Sequence, residues 1–171
     1  MLVVACNPAP DPRQTKFRVQ RDNVTAQYDE KTGRLKRLAV DTNKNGKPDA
    51  WATMDAARIE RIEIDRNEDG IIDRWEYYAD GKLVRVGTST RGDGVEDEWA
   101  YPTADGTIAR VETDTNRDGR VDKWDIYEPS PVPGAKSYLH IVALDPGGSG
   151  RPTRRLFYRP DGSFERQEII R

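Results

Sequence analysis

The sequence has little cysteine, little histidine and no long apolar run. Its one cysteine, Cys6, excludes an intramolecular disulfide, and its one histidine, His140, argues against a zinc site or imidazole catalysis. No stretch approaches the roughly 20 apolar residues that a transmembrane helix needs. Apolar residues make up only 35% of the 171 positions, which favours a thin, one-layer repeat structure or one stabilised by metal.

Charge of one sign is also lacking. The chain has 28 basic and 30 acidic residues, with a net charge of −2, so nothing indicates nucleic acid or anionic lipid as a partner. No phosphate-binding glycine loop is present. The acidic residues recur in a repeat that accounts for most of them, and we therefore expect a protein that is not an enzyme.

An internal repeat organises the chain. The four tryptophans fall at positions 51, 75, 99 and 124, which are spaced by 24, 24 and 25 residues. The unit reads G-x-φ-x-R-φ-x-x-D-x-N-x-D-G-x-x-D-x-W, where φ is apolar. Regular copies span residues 33–127, and residues 137–171 form a degenerate cap in which the fifth loop, residues 145–150, has lost its ligands. We predict one domain over residues 17–171, with residues 17–28 forming one or two short strands.

Strands rather than helices are predicted between the loops. Trp75 and Tyr77, and likewise Trp99 and Tyr101, alternate with a period of two, and Asp-Gly pairs at residues 80–81 and 105–106 follow. A helix there would be under two turns long. The sequence therefore predicts an all-β antiparallel meander of tandem β-hairpin repeats in a single-layer or curved sheet. Tryptophan and tyrosine would form a ladder of cross-strand aromatic pairs on one face.

The loops that join the hairpins have the ligand spacing of calcium sites. Oxygen ligands at positions 1, 3 and 5, a glycine at 6, a backbone carbonyl at 7 and an aspartate at 9 suit a hard cation. The second copy also has an acidic residue at position 12. The predicted ligands, with position 7 acting through its carbonyl, are Asp65, Asn67, Asp69, Ile71, Asp73 and Glu76 in the second copy, Asp114, Asn116, Asp118, Arg120 and Asp122 in the fourth, and Asp41, Asn43, Asn45, Lys47 and Asp49 in the first.

The copies differ in ligand quality, and we expect about three calcium sites. The second and fourth loops have three aspartates each and should bind best, and the first should bind more weakly. The third, residues 89–97, has Ser89 and Arg91 at positions 1 and 3. A guanidinium in a ligand position opposes metal binding, and we predict a turn held by an Arg91–Asp93 pair.

The D-x-N-x-D-G-x-x-D loop followed by a strand resembles the calcium loops of FG-GAP/VCBS propeller repeats. It is similar, too, to thrombospondin type 3, dockerin and EF-hand loops, and the hairpins with W-x-Y-Y-x-D-G-K-L resemble bacterial MORN-like repeats. The resemblance covers residues 41–122. The 24-residue period is about half a propeller blade, and dockerins need a helix after each loop, which the Asp-Gly turns oppose.

The N-terminus resembles the lipobox of bacterial lipoproteins, since Ala5-Cys6 follows a short apolar run and precedes a proline-rich tether within residues 1–16. This resemblance implies lipidation at Cys6 and an extracytoplasmic location, with the chain anchored by lipid at the outer membrane of the bacterial envelope.

From these features we expect a calcium-stabilised, lipid-anchored repeat protein that acts as a binding or scaffolding module at the bacterial cell envelope. Its partner would be an envelope protein or polysaccharide, and it would touch the membrane only through the anchor. Two alternatives stay open: an EF-hand-like calcium sensor with helices, and a metal-free, MORN-like interaction protein.

Overall fold

The computed structural model describes residues 23–55 and 58–170, and within them the regular structure is entirely β. Cys6, the proline-rich tether and residues 17–22 lie outside the described residues. The strands are β1 Val24–Tyr28, β2 Leu35–Val40, β3 Ala50–Asp55, β4 Arg58–Ile64, β5 Arg74–Ala79, β6 Lys82–Thr88, β7 Glu98–Pro102, β8 Ile108–Thr113, β9 Lys123–Pro129, β10 Ser137–Leu144, β11 Arg154–Tyr158 and β12 Phe164–Ile169.

All twelve strands form one antiparallel sheet in chain order, from β1 to β12, and the sheet is not closed. The predicted hairpin meander is confirmed. A strand follows every acidic loop, so the helices expected for the EF-hand alternative are wrong within the described residues. Among residues 23–55 and 58–170, no helix is long and apolar enough to cross a membrane.

The two ends of the sheet carry different connections. Hairpin turns lie at one end, as at Asp80 and Gly81, whose φ angles of +50° and +74° fit the Asp-Gly turn between β5 and β6. The acidic loops all lie at the other end, because each follows an even-numbered strand. Two strand spacings separate successive loops, so neighbouring loops are about 10 Å apart.

The tryptophans do not form the predicted aromatic ladder. Trp75 on β5 lies opposite Glu63 of β4 and Gly87 of β6, and Trp99 on β7 lies opposite Gly87 and Glu112. The repeat places a tryptophan only on every second strand, so the strands between them contribute other residues. Tryptophans therefore alternate along this row with glutamate or glycine.

The repeated arginines pack on aromatic rings of the same face. The guanidinium carbons of Arg85 and Arg110 lie 4.0 and 4.2 Å from the ring centres of Tyr77 and Tyr101. Arg110 also pairs with Glu112 at 2.9 Å. A guanidinium over an aromatic face is favourable, so these contacts help to hold the repeated arginines against the sheet.

The interior is thin and unusually polar. The buried apolar residues are mainly small or β-branched, and Trp75, 8% exposed, is the largest of them. Seven polar residues are buried as well, and all of them occupy position 1 or position 9 of an acidic loop: Asp49, Asp65, Asp73, Ser89, Asp97, Asp114 and Asp145. The loop end of the sheet is therefore held by buried carboxylates, which must be hydrogen-bonded or neutralised.

Candidate metal centre in the acidic loops

Five loops share one backbone path at this end of the sheet. We number them 1 to 5, at residues 41–49, 65–73, 89–97, 114–122 and 145–153, and number positions 1 to 9 within each. Position 4 has a φ between +59° and +68° in all five, and position 6 is a glycine with a φ between +78° and +94°. The glycine at position 6 is required by this left-handed backbone, as the sequence pattern indicated.

The carboxylate at position 1 folds back over its own loop. In loops 1, 2, 4 and 5 one of its oxygens accepts the backbone N–H of the position 6 glycine, at 2.7, 2.9, 2.8 and 2.6 Å. In loop 3 the hydroxyl of Ser89 closes the loop differently: it accepts the N–H of Asp93, at position 5, at 3.1 Å and donates to the carboxylate of Asp93 at 3.0 Å. The loop closure therefore survives in loop 5 although its other acidic ligands are gone.

The aspartate at position 9 faces back toward position 2 of the same loop. Asp49, Asp97 and Asp122 each accept the N–H and the hydroxyl of a threonine, with hydroxyl contacts of 2.7 Å. Asp73 accepts the N–H of Arg66 at 3.0 Å and its Nε at 2.6 Å. Both oxygens of Asp73 thus already accept a hydrogen bond, and its role as the closing metal ligand stays a prediction.

Successive loops are joined through their backbones. The N–H of position 1 donates to the carbonyl of position 9 in the preceding loop: Asp65 to Asp49, Ser89 to Asp73, Asp114 to Asp97, and Asp145 to Asp122, at 2.8 to 2.9 Å. These bonds extend the sheet register into the loops.

Loops 2 and 5 each contain a buried position 1 carboxylate oxygen without a hydrogen-bond partner, on Asp65 and on Asp145, and only loop 2 combines it with oxygen ligands at positions 3 and 5. Asp65 is 5% exposed, and while its Oδ2 accepts the Gly70 N–H, its Oδ1 is buried without a hydrogen-bond partner. Asn67 and Asp69 face each other across the loop at 3.0 Å. An unsatisfied buried carboxylate oxygen is costly, and a cation beside it would remove that cost.

Glu76 is placed away from this loop. It lies on β5, where its carboxylate accepts Nη2 of Arg74 at 2.9 Å and the hydroxyl of Tyr78 at 2.8 Å. Burial, followed by this hydrogen bond to Glu76, raises the pKa of Tyr78 to about 12. The structure brings Asp65, Asn67 and Asp69 together in the loop and leaves Glu76 on the sheet. The role of Glu76 as a calcium ligand therefore also stays a prediction.

Position 4 of each loop lies beside the preceding loop. Over loop 2 the residue is Gly92, and nothing would meet a Cβ there within 4 Å. Over loop 4 it is Gly148, where a Cβ would lie 3.3 Å from a carboxylate oxygen of Asp118. In the two loops with the most complete ligand sets, position 4 of the next loop is therefore a glycine that contributes no side chain.

Loops 1 and 3 are covered by charged side chains. Glu68 of loop 2 accepts the side-chain N–H groups of Asn43 and Asn45 in loop 1. Arg117 of loop 4 donates to Asp97 at 2.6 and 3.0 Å and also contacts Asp93 in loop 3. Sequence reasoning missed both residues, since position 4 is not a ligand position in a single loop.

The predicted pair between Arg91 and Asp93 is wrong. Arg91 is exposed and forms no ion pair within the described part of the chain, and Arg117 takes the position next to Asp93. The reason is geometric, because position 4 of loop 4 projects over loop 3. The hydrogen bond from Arg117, opposed by burial and assisted by Ser89, holds the pKa of Asp93 far below its usual range.

The position 7 residues keep their side chains outside the loop centre. Ile71 is 40% exposed, and Arg120 donates to the carbonyl of Gly148 at 3.2 Å. Only their backbone carbonyls, with that of Lys47, could serve a cation, as predicted. Among residues 23–55 and 58–170, no group of three or more His, Cys, Asp or Glu side chains is arranged to hold a metal. A cation in these loops would therefore depend on amide and carbonyl oxygens as well.

His140 lies apart from the loops on β10. Its ring packs edge-on against Tyr138 and Phe157, with ring centres 5.6 and 5.8 Å apart, and its Nδ1 lies 3.2 Å from the carbonyl of Tyr158. These contacts are those of a packed sheet residue.

No family model matches the chain, and no curated protein is similar to it. Among solved structures it is similar to accessory secretory protein 1, 2 and 3 of Streptococcus pneumoniae, with 18% identity and a TM-score of 0.46, over 69% of this chain and 22% of that one. It is also similar to TarM, with 12% identity and a TM-score of 0.36, over 63% of this chain and 18% of that one. The chain spans about a fifth of the length of these structures, and likenesses of this size carry no information on function.

Proposed function

We propose that the chain is a calcium-stabilised β-hairpin repeat protein that acts as a binding or scaffolding module at the bacterial cell envelope. Loops 2 and 4 would be the main calcium sites and loop 1 a weaker one. The observation that carries this proposal is the Oδ1 atom of Asp65, which is buried without a partner in a loop of oxygen ligands.

The donor set fits calcium. Loop 2 offers Asp65, Asn67 and Asp69 at positions 1, 3 and 5, and every donor is a hard oxygen, as calcium prefers. Loop 4 repeats this set with Asp114, Asn116 and Asp118. A bound cation would neutralise the two carboxylates and fix the loop between one hairpin and the next. Sites of this kind in extracellular modules have dissociation constants of roughly 10⁻⁴–10⁻³ M.

Loop 1 is helped by its neighbour. It has only one carboxylate at positions 1, 3 and 5, that of Asp41, and asparagines occupy the other two. Glu68 brings a second carboxylate to the side chains of Asn43 and Asn45. Loop 1 thus reaches the same two negative charges as loops 2 and 4, which supports including it among the calcium sites.

The scaffolding role rests on the architecture and on the N-terminal resemblance. A single open sheet of twelve strands presents two long faces, and repeat sheets of this kind serve as extended binding surfaces. The lipobox-like Cys6 would tether the sheet to the envelope, where an envelope protein or polysaccharide would be its partner. No catalytic role is proposed.

The proposal is tested by thermal unfolding in chelator and in millimolar calcium. At calcium concentrations well above the dissociation constant, the midpoint should rise by roughly 5–10 °C, because ligand binds only the folded loops. Replacing Asp65 and Asp69 together by alanine should remove most of the rise. A matched control removes two exposed strand carboxylates, Glu60 and Glu165, and should keep it. A midpoint that ignores calcium would refute the proposal.

A second candidate is a metal-free interaction surface of the MORN-like kind. Loops 3 and 5 favour it, because contacts within the protein close both: Arg117 of loop 4 donates to Asp97 in loop 3 at 2.6 Å, and in loop 5 Gly150 and Ser149 donate to Oδ2 of Asp145 at 2.6 and 3.0 Å. Titration calorimetry separates the candidates. No heat of binding at millimolar calcium, together with full stability in chelator, would favour the metal-free surface.

A further inference from the structure

Arg117 belongs to loop 4 by sequence and to loop 3 by contact. Its backbone occupies position 4 of loop 4 in the left-handed conformation, with a φ of +61°. This conformation turns the side chain across the spacing of about 10 Å between loops. The guanidinium is only 18% exposed and lies between the carboxylates of Asp93 and Asp97.

The contacts are those of a cation with its ligands. Nη2 and Nε donate to Oδ2 of Asp97 at 2.6 and 3.0 Å, Nη2 donates to Oδ1 of Asp93 at 3.1 Å, and Nη1 contacts Oδ2 of Asp93. The guanidinium is permanently charged and presents a planar fork of donors, which suits two adjacent carboxylates. Asp97, with a side chain 5% exposed, would otherwise be a buried charge without a cation.

Loop 3 lacks what a free cation requires. Position 1 is Ser89 and position 3 is Arg91, so the only carboxylates left at the ligand positions of the loop are Asp93 at position 5 and Asp97 at position 9. One guanidinium leaves these two carboxylates with one net negative charge. The ligand substitutions in loop 3 and the arginine at position 4 of loop 4 therefore compensate each other.

We propose that Arg117 is the built-in cation of loop 3. It offsets one of the two negative charges of Asp93 and Asp97 and fixes the shape of the loop, so the connection between the hairpins β5–β6 and β7–β8 holds without metal. The comparison with loops 2 and 4 rests on the proposed calcium function, but the role of Arg117 in loop 3 does not. Since Arg117 is part of loop 4, the same contact ties loop 4 to loop 3 when no calcium is present.

The experiment is thermal unfolding in chelator, where calcium plays no part. Arg117→Ala should lower the midpoint by on the order of 5 °C, because hydrogen bonds to two carboxylates are lost and Asp97 stays buried. Arg117→Lys keeps the charge but not the fork, and should lose about half as much. The matched control is Arg91→Ala, which removes an exposed arginine from loop 3 itself and should change the midpoint by less than about 1 °C.

A double-mutant cycle isolates the interaction. Asp93→Ala combined with Arg117→Ala should cost less than the sum of the two single losses, because both remove the same contact. Additive losses, or equal losses for Arg117→Ala and Arg91→Ala, would overturn the proposal. Should Arg117→Ala fail to fold, the cycle can be run with Arg117→Lys.

Hydrogen exchange locates the effect. In chelator, Arg117→Ala should increase exchange by at least about tenfold in the peptide spanning residues 88–99, which contains the Asp97 N–H bonded to the Thr88 carbonyl at 3.0 Å. Exchange in residues 154–169, at the far edge of the sheet, should stay unchanged. Uniform exchange across both segments would contradict a local clamp. If calcium fails to bind anywhere, the proposed function falls while these results in chelator still decide the role of Arg117.

Discussion

Loops 2 and 3 follow the same backbone path and satisfy their charges in different ways. Loop 2 has a complete set of oxygen ligands and a buried oxygen of Asp65 without a partner, and position 4 of the following loop is a glycine, Gly92. Loop 3 has lost its first and third ligands and has Arg117 above it. The difference shows that the repeat preserves the closure of each loop, whereas the source of positive charge can change between copies.

The strands beside loop 3 also keep a carboxylate but take it from a different residue. Along the tryptophan row, Glu63 and Glu112 lie between successive tryptophans, and Gly87 takes their place between Trp75 and Trp99. The carboxylate of Glu96, from position 8 of loop 3, folds over Gly87 and accepts the Nε1–H of Trp99 at 2.7 Å. A carboxylate beside the tryptophan is therefore kept, although it comes from a different position in the chain.

The largest expected effect comes from the position 9 carboxylates of the two loops. In chelator, Asp97→Ala should cost about 3 kcal/mol of unfolding free energy, because it leaves the guanidinium of Arg117 half-paired and removes both bonds from Thr90. Asp73→Ala should cost about half as much, since its partner Arg66 is 52% exposed. Urea unfolding measures both. Equal costs would mean that loops 2 and 3 are held alike.

Gly87 provides the next test. Gly87→Ala should destabilise the protein by about 2 kcal/mol, because the added Cβ would lie 2.2 Å from Oε2 of Glu96 and displace it from Trp99. The double variant Gly87→Glu with Glu96→Ala recreates the arrangement at Glu63 and Glu112. It should recover at least half of the loss in urea unfolding. No recovery would show that loop 3 needs Glu96 for some other contact.

Acid should weaken loop 3 only at low pH. In the folded protein the hydrogen bond from Arg117 lowers the pKa of Asp93. Burial raises the pKa of Asp97, but hydrogen bonds from Thr90 and Arg117 outweigh it, so this pKa is lowered as well. Lowered values stabilise the fold above the unfolded pKa of about 4, and this stability is lost as the pH falls below it.

Thermal midpoints in chelator, measured from neutral pH down to about pH 2, test this predicted loss of stability in acid. The difference between the wild-type chain and Arg117→Ala should be constant above about pH 4 and shrink below it. The contribution of Asp105, whose pKa is lowered to about 2 by Thr103 and Thr107, is common to both proteins and cancels. A difference that does not change with pH would contradict the assigned carboxylates.

The smallest effect concerns Glu76 beside loop 2. Burial first, and the bond to Glu76 second, raise the pKa of Tyr78 to about 12, so this tyrosine stabilises the fold below about pH 10 and loses that contribution as the pH rises further. Glu76→Gln should lower the pKa of Tyr78 only in part, as followed by phenolate absorbance. Calorimetry on the same variant checks the predicted ligand: unchanged calcium binding would remove Glu76 from the site.

The hairpin array was predictable because its signals are local. Alternation around Trp75 and the Asp80-Gly81 turn specify strands and a tight reversal without reference to the rest of the chain. The aromatic ladder and the pair between Arg91 and Asp93 were predicted wrongly for a common reason. Both depend on which residues face each other across strands or loops that are 12 or more residues apart in sequence.

The sequence by itself determined the repeat, the left-handed glycine at position 6 and the oxygen-rich loops, since each follows from the conformational or chemical preference of single residues. Only the tertiary structure determined which charged side chains contact each other. Stacking the loops at twice the strand spacing brings Glu68 to loop 1 and Arg117 to loop 3, and leaves loop 2 open beneath Gly92. Side chains span that distance between loops, and the sequence pattern within one loop does not predict its contacts with the neighbouring loop.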